Sequence, residues 1–115
     1  MAAITISVIL KLIFTIGIIS LAGVCLRADD AKDLYLQQCK KCHGEDGKGQ
    51  TNMGKRLGAK DYTDPKVQDE LKDDAGIKAV KEGLTREGNT LMKPAEGLND
   101  DQIKGLIGYM RTFKK

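Results

Sequence analysis

Three residues in the first third of the chain have types and spacing that suit the binding of a metal cofactor. Cys39, Cys42 and His43 lie in the segment Cys39-Lys40-Lys41-Cys42-His43, a C-x-x-C-H motif. Residues three apart share one face of a helix, so both thiols reach one edge of a flat macrocycle and form thioethers with its vinyl groups. The imidazole that follows is placed to bind the central iron. The motif therefore predicts covalent attachment of one haem c.

Three other uses of the motif agree less well with the rest of the sequence. A zinc site takes four ligands, and His43 is the only histidine, so two carboxylates from elsewhere are needed. A thioredoxin-like dithiol is expected beside a βαβ unit, and the residues before Cys39 show no strand pattern. A disulfide between Cys39 and Cys42 closes too short a loop to stabilise the fold much.

The second axial ligand of such an iron has to be something other than a histidine of this chain. The methionines beyond residue 28 are Met53, Met92 and Met110. Met110 falls in a regular helical pattern and is expected in the core, and Met53 follows His43 too closely to reach the opposite face. Met92 lies in the turn-prone stretch 88–94, which favours a His43/Met92 pair. Because this ligation leaves no position for a substrate, we predict an electron carrier and not an enzyme.

The first 28 residues differ in composition from the remainder. They contain no Asp or Glu, and residues 12–26 are almost purely apolar, which is the length of the hydrophobic region of a signal peptide. We predict a signal peptide over residues 1–28 and one domain over residues 29–115. A retained membrane anchor is the main alternative, because residues 4–26 are long enough to span a bilayer; lipid attachment at Cys25 is a weaker one. Each alternative predicts a periplasmic or otherwise exported domain.

The charge of the predicted domain argues against nucleic acid as a partner. Two of the 19 basic residues, Lys11 and Arg27, belong to the leader, which leaves 17 basic against 16 acidic residues. These alternate along the chain and form no cluster. We expect a monomer whose partners are redox proteins, including a membrane oxidase or reductase, and contact with a membrane only if the leader is retained. The lysines expected to surround the haem edge are Lys40, Lys41, Lys48, Lys55 and Lys93.

Helical signals recur through residues 29–115. The pattern predicts helices over residues 30–41, over 66–72 after the helix-starting pair Asp64-Pro65, and over 75–82 with Gly83 as the stop. Asn99 and Gln102 have the spacing of a capping box that opens the last helix. Its apolar stripe consists of Ile103, Leu106, Ile107, Met110 and Phe113.

Glycines and the absence of strand patterns complete this prediction. Residues 44–58 contain five glycines and are expected to form an irregular loop, and no segment has the alternation of a strand. Gly105 and Gly108 weaken the last helix, which predicts that another backbone crosses closely there. The first helix is the natural partner for that crossing.

Taken together, these segments resemble a class I c-type cytochrome, the family of small bacterial and algal carriers with one haem. The resemblance covers essentially residues 30–115 and is carried by Tyr35-x-x-x-Cys39, by C-K-K-C-H-G-E-D-G-K-G, by Leu91-Met92-Lys93-Pro94 and by Leu98-Asn99-Asp100-Asp101. The motif order also differs from that of the four-helix cytochromes c′. The resemblance implies an all-α cytochrome c fold of three to five short helices around one haem, with the N- and C-terminal helices crossing and one haem edge exposed.

The chain departs from this family at one point. Members often have a proline after the motif, whose carbonyl accepts the ring N–H of the ligand histidine. Here residues 55–57 are Lys-Arg-Leu and no proline precedes Pro65, so the acceptor for His43 is unassigned; Leu57 is expected to pack on the haem.

Two other functions remain open. One is a haem subunit of a membrane oxidoreductase, and the other is a gas- or peroxide-reactive haem protein with Met92 as a labile ligand.

Overall fold

Six helices and one short hairpin make up residues 27–115, the part of the chain that the computed structural model describes. The helices are α1 (Ala28–Gln38), α2 (Lys40–His43), α3 (Asn52–Leu57), α4 (Pro65–Glu70), α5 (Asp73–Glu82) and α6 (Asp100–Arg111). Strands β1 (Leu84–Arg86) and β2 (Asn89–Met92) pair antiparallel between α5 and α6. The predicted helical class is confirmed, with more helices than the three to five expected. None of these helices is long and apolar enough to cross a membrane.

The leader predictions fall outside this description. The signal peptide, the retained anchor and the lipid attachment at Cys25 all concern residues 1–26 almost entirely, and these are not among the described residues. Helix α1 begins at Ala28, the last residue of the predicted leader.

The core lies between the first and last helices, which pack against each other as predicted. Tyr35 of α1 is fully buried, and its ring centroid lies 5.2 Å from that of Tyr109 and 5.3 Å from that of Phe113. Aromatic pairs at such separations contribute about 0.5–1.5 kcal/mol beyond their buried area. The remaining core of buried apolar side chains comprises Ala31, Val80, Ile103, Leu106, Ile107 and Met110.

Helix α6 starts where its capping signal predicts. The side chain of Asn99 accepts a hydrogen bond from the backbone N–H of Gln102 at 2.8 Å, and the side chain of Gln102 accepts one from the N–H of Asn99 at 2.9 Å. This reciprocal pair satisfies two of the N–H groups that a helix start leaves unpaired. Asp64 likewise caps α4 by accepting from the N–H of Lys66 at 2.8 Å.

A buried amide joins α4 to α6. Gln68 is 3 % exposed, and its Nε2 donates to the carbonyls of Tyr62 at 2.6 Å and Met110 at 2.9 Å. Arg111 donates to the carbonyl of Gln68 at 2.6 Å and pairs with Asp73 at the start of α5. Because the buried amide is hydrogen-bonded, its desolvation is compensated. The polar contacts around Gln68 therefore connect α4, α5 and α6.

Two elements correct the sequence prediction. The stretch 44–58, expected to be an irregular loop, contains α3, and Thr51 caps it by accepting from the N–H of Gly54 at 2.9 Å. The turn-prone stretch around residue 88 is a hairpin, with φ of 50° at Glu87 and 78° at Gly88. Two consecutive positive φ values suit the tight turns of hairpins. All side chains of β1 are exposed, so no alternation marked it as a strand.

Of the two glycines at which a close approach to α6 was predicted, Gly108 has no such neighbour. A Cβ atom at Gly108 would meet nothing within 4 Å, so the prediction was wrong there. At Gly76 in α5 a Cβ atom would lie 2.9 Å from Cδ1 of Ile107. Helix α5 therefore lies against α6 at a residue without a side chain. The destabilising effect of a glycine within α6 did not predict that α5 would approach α6 at one of its own glycines.

Candidate functional site

The attachment motif forms one short turn between α1 and α3. Cys39 caps the end of α1, and Cys42 and His43 belong to α2. Both cysteines are half-buried free thiols. Burial, and to a lesser extent the charge of an ionised Cys42, raises the pKa of Cys39 to about 11. Because a reactive dithiol needs a lowered thiol pKa, this environment argues against the thioredoxin-like interpretation.

His43 has surroundings that favour its uncharged form. Burial lowers the pKa of the imidazole below its usual value, and a neutral imidazole keeps a nitrogen lone pair for a metal. Its Nδ1 is buried and finds no hydrogen-bond partner among residues 27–115. The ring centroid lies 5.6 Å from that of Tyr62. The chain lacks the proline whose carbonyl would accept from the ligand histidine, and the described residues supply no other acceptor for Nδ1 of His43.

Three hydrogen bonds hold the end of the attachment turn. The carbonyl of Cys42 accepts from the hydroxyl of Thr51 at 2.8 Å, and that of His43 accepts from the N–H of Gly49 at 2.8 Å. The next carbonyl, that of Gly44, accepts from the buried hydroxyl of Tyr35 at 2.7 Å. A helix end leaves such carbonyls unpaired. The turn is therefore fixed by partners on three different segments.

Sequence reasoning missed two residues of this arrangement, Thr51 and Gly54. Gly54 is buried, and a Cβ atom there would collide with the carbonyl of Cys42 and lie 2.5 Å from the carbonyl oxygen of Gly49. Its lack of a side chain lets α3 approach the backbone of the attachment turn. A threonine followed by a short helical pattern is a capping signal that could have indicated α3.

The three methionines considered as ligands have different environments. Met110 is 7 % exposed and belongs to the core, as expected. Met53 is half-buried on α3 and lines an open pocket. Met92 is half-buried at the end of β2, not in a loop as predicted, and packs against the core cluster. The following backbone is tied to α5, because the N–H of Ala95 donates to the carbonyl of Val80 at 2.8 Å.

Positive charge concentrates around the attachment turn. Residues 40–60 contain six basic and two acidic residues, whereas residues 61–115 contain ten basic and eleven acidic ones. Lys40 pairs with Glu45 at 3.3 Å, and the other four lysines predicted at the haem edge form no ion pair within the described residues. Lys41 and Arg56 line an open pocket of ≈ 380 Å³ together with Met53.

These residues fit a covalently bound haem. Two free, uncrosslinked thiols and an imidazole whose burial favours its neutral form share one turn, and half-buried apolar side chains flank the core beside it. Within residues 27–115, no group of three or more His, Cys, Asp or Glu side chains is arranged to hold a metal ion by itself. A small helical domain with a C-x-x-C-H turn directly after its first helix defines the class of c-type cytochromes.

Comparison with known proteins assigns the family. The family model described as cytochrome c matches residues 28–114. The chain belongs to the cytochrome c family and is a class I c-type cytochrome with covalent haem c. A solved structure of the KustC0563 c-type cytochrome is 38 % identical with a TM-score of 0.65, covering 74 % of this chain and 98 % of that one. A Tyr-to-Phe mutant of that protein is 37 % identical with a TM-score of 0.63, covering 74 % and 99 %. No curated protein matches the chain significantly.

Proposed function

We propose that this protein is an exported single-electron carrier whose haem iron is bound by His43 and Met92. Membership of the cytochrome c family supports haem-based electron transfer. The observation that carries the choice of ligands is the pairing of a neutral imidazole on the attachment turn with a half-buried thioether on a different segment of the chain. Of the three methionine candidates, Met92 alone packs on the core while remaining incompletely buried.

Each residue has a separate task in this mechanism. Bound haem supplies a reversible one-electron couple at its iron. Cys39 and Cys42 fix the macrocycle to the turn through thioethers, so that its orientation does not depend on packing alone. Burial favours the uncharged form of His43, which would offer a nitrogen lone pair to the metal. Met92 would supply a thioether ligand to the iron, which would raise the reduction potential and exclude small molecules.

The first test replaces the two partly buried methionines separately. Met92→Ala should abolish the sulfur-to-iron charge-transfer band of the oxidised protein and lower its reduction potential. Met53→Ala is the matched control, because Met53 is also half-buried but lies on α3 outside the core contacts. Haem should remain with the denatured chain in both variants, since the thioethers are intact.

Other results would redirect the proposal. If native protein lacks the charge-transfer band and binds carbon monoxide readily, the sixth position is labile and a gas- or peroxide-reactive protein is the better description. If the band survives in Met92→Ala, the ligand assignment is wrong. Replacement of Cys39 and Cys42 by serine should leave no haem on the denatured chain.

Export is proposed from the leader sequence. Residues 1–28 lack acidic groups and contain an apolar run of signal-peptide length, and the family match begins at residue 28. N-terminal sequencing of protein purified from its host should find a start at or near Asp29. A start at Met1 in the membrane fraction would favour a tethered haem subunit of a larger oxidoreductase.

We further propose that the surface around Lys41, Lys55 and Arg56 receives an acidic redox protein. This surface borders Cys42, carries cations without ion-pair partners among the described residues, and surrounds a pocket that also contains Met53. Opposite charge on the partner would accelerate encounter, and salt would screen the effect. Lys40 should contribute less, because Glu45 already neutralises it.

Charge reversal measures this effect directly. Lys41→Glu and Arg56→Glu should each slow electron transfer to an acidic redox protein by about tenfold at low ionic strength and less at high salt. Lys66→Glu, which reverses an exposed lysine on α4, should change the rate by less than about twofold. Equal slowing by all three substitutions would mean that only net charge matters and would remove this surface from the proposal.

A further inference from the structure

Gly83 occupies the junction between α5 and the hairpin that carries Met92. It caps the end of α5 with φ 77° and ψ −177°, a combination that is essentially restricted to glycine. The backbone N–H of Gly83 still donates to the carbonyl of Ala79 at 2.8 Å. The chain therefore leaves the helix abruptly at this residue and enters β1 in the next.

The segment that follows Met92 lies directly on Gly83. A Cβ atom at Gly83 would be 2.5 Å from the carbonyl oxygen of Met92, 2.9 Å from Cδ of Pro94 and 3.0 Å from its nitrogen. These neighbours are backbone and ring atoms, so they have no side-chain rotation by which to move aside. Any side chain at residue 83 displaces the backbone of residues 92–94.

Met92 is otherwise well fixed on both sides. Before it, the hairpin pairs Leu84 with Met92 across an irregular register. After it, Ala95 is hydrogen-bonded to Val80 of α5, and Val80 is itself 4 % exposed in the core. A side chain at residue 83 would therefore change the distance between the Met92 backbone and the core.

We propose that Gly83 is a positioning residue for the Met92 ligand: its bare backbone seats Met92 and Pro94 so that the thioether is placed to bind the haem iron. The inference rests on the proposed His43/Met92 ligation. It concerns where the ligand is held and not the ligand's identity. Pro94 is the second positioning residue, because its ring lies against Gly83 and fixes the direction in which the chain leaves Met92.

The test compares two glycines that both have a positive φ angle but differ in their surroundings. Gly83→Ala is set against Gly88→Ala, because Gly88 has φ 78° at the hairpin turn and nothing within 4 Å of a Cβ atom. Both substitutions strain the backbone, whereas only the first displaces Met92. Added imidazole competes with the thioether for the iron. Its apparent affinity for oxidised holoprotein should rise about tenfold or more in Gly83→Ala and less than about threefold in Gly88→Ala.

A second pair of variants serves if Gly83→Ala does not fold. Pro94→Ala removes the ring that rests on Gly83, and Pro65→Ala at the start of α4 is the control, since these are the only two prolines of the chain. During denaturation of Pro94→Ala, the charge-transfer band should disappear before the helical circular dichroism. In Pro65→Ala the two signals should disappear together.

The outcomes distinguish the positioning role of Gly83 from the assignment of Met92 as ligand. Loss of the band in Met92→Ala, with wild-type imidazole affinity in Gly83→Ala and coincident transitions in Pro94→Ala, would refute the positioning role and leave the ligand assignment intact. Retention of the band in Met92→Ala would refute the ligand assignment itself. Tighter imidazole binding in Gly83→Ala but not Gly88→Ala supports both.

Discussion

The hydroxyl of Tyr35 offers the sharpest test of how the attachment turn is held. Tyr35→Phe leaves the ring and its packing in place, so it removes only the hydrogen bond to the carbonyl of Gly44. A neutral hydrogen bond contributes about 1 kcal/mol net, and a buried carbonyl left without a partner costs about 1–3 kcal/mol. The carbonyl of Gly44 keeps a second, longer bond from the N–H of Gly47 at 3.3 Å. We therefore expect a loss of about 1–2 kcal/mol.

The measurement is guanidinium unfolding of the holoprotein followed by far-UV circular dichroism. The midpoint should fall while the slope stays constant, because the surface exposed on unfolding does not change. Tyr109→Phe is the matched control: its ring belongs to the same aromatic cluster, and its hydroxyl makes no hydrogen bond within residues 27–115. This control should lose less than about 0.5 kcal/mol.

An equal loss of unfolding free energy in Tyr35→Phe and Tyr109→Phe would refute the stabilising role of the Tyr35 hydrogen bond. It would mean that the carbonyl of Gly44 finds an equivalent partner when Tyr35 loses its hydroxyl. The hydroxyl of Tyr35 should also remain protonated through the alkaline range, since burial raises its pKa well above the usual value. Alkaline titration of tyrosinate absorbance should therefore show no normal ionisation from this residue before unfolding.

Three further substitutions test the remaining contacts. Gln68→Leu should cost about 1–3 kcal/mol in guanidinium unfolding, because it leaves two buried carbonyls with one donor fewer; an unchanged midpoint would show that water or Arg111 replaces the amide. Asn99→Ala should cost about 1 kcal/mol in thermal unfolding by removing the cap of α6, whereas an unaltered transition would mean that the helix start does not limit stability. Hydrogen bonds from Thr63 hold the pKa of Asp61 below its usual value, so its contribution is complete above the unfolded-state pKa and is lost as the pH falls through the folded-state pKa. Stability measured between pH 5 and pH 2 should fall less steeply in Asp61→Asn than in the wild type, and identical pH profiles would contradict this.

Locally encoded features were predicted well. The capping pairs at Asp64 and Asn99, the stop at Gly83 and the apolar stripe of α6 depend on neighbours within a few residues, so the sequence alone identifies them. The attachment motif is local in the same sense. Its chemistry follows from the order of two thiols and one imidazole.

Features that depend on distant contacts were missed. Helix α3 is placed by the bond from Thr51 to Cys42 and by the space at Gly54, neither of which has a periodic signature. The hairpin before Met92 has no buried face on β1. The first and last helices pack together as predicted, but the close approach expected at Gly108 is not found there, and α5 approaches Ile107 of α6 at Gly76. The pairing of Met92 with His43 and the exported location remain predictions.

The placement of the core on the last helix affects the order in which the chain can fold during synthesis. Four of the seven buried apolar side chains of the described domain belong to α6, which is made long after the attachment turn. Until α6 has emerged, the chain lacks most of the core that covers Tyr35. Cys39 and Cys42 are then accessible in an open chain. Cys39 packs against a core to which α6 contributes most of the side chains, so a chain in which α6 has not yet docked on α1 leaves the thiols open to reaction with the vinyl groups of haem.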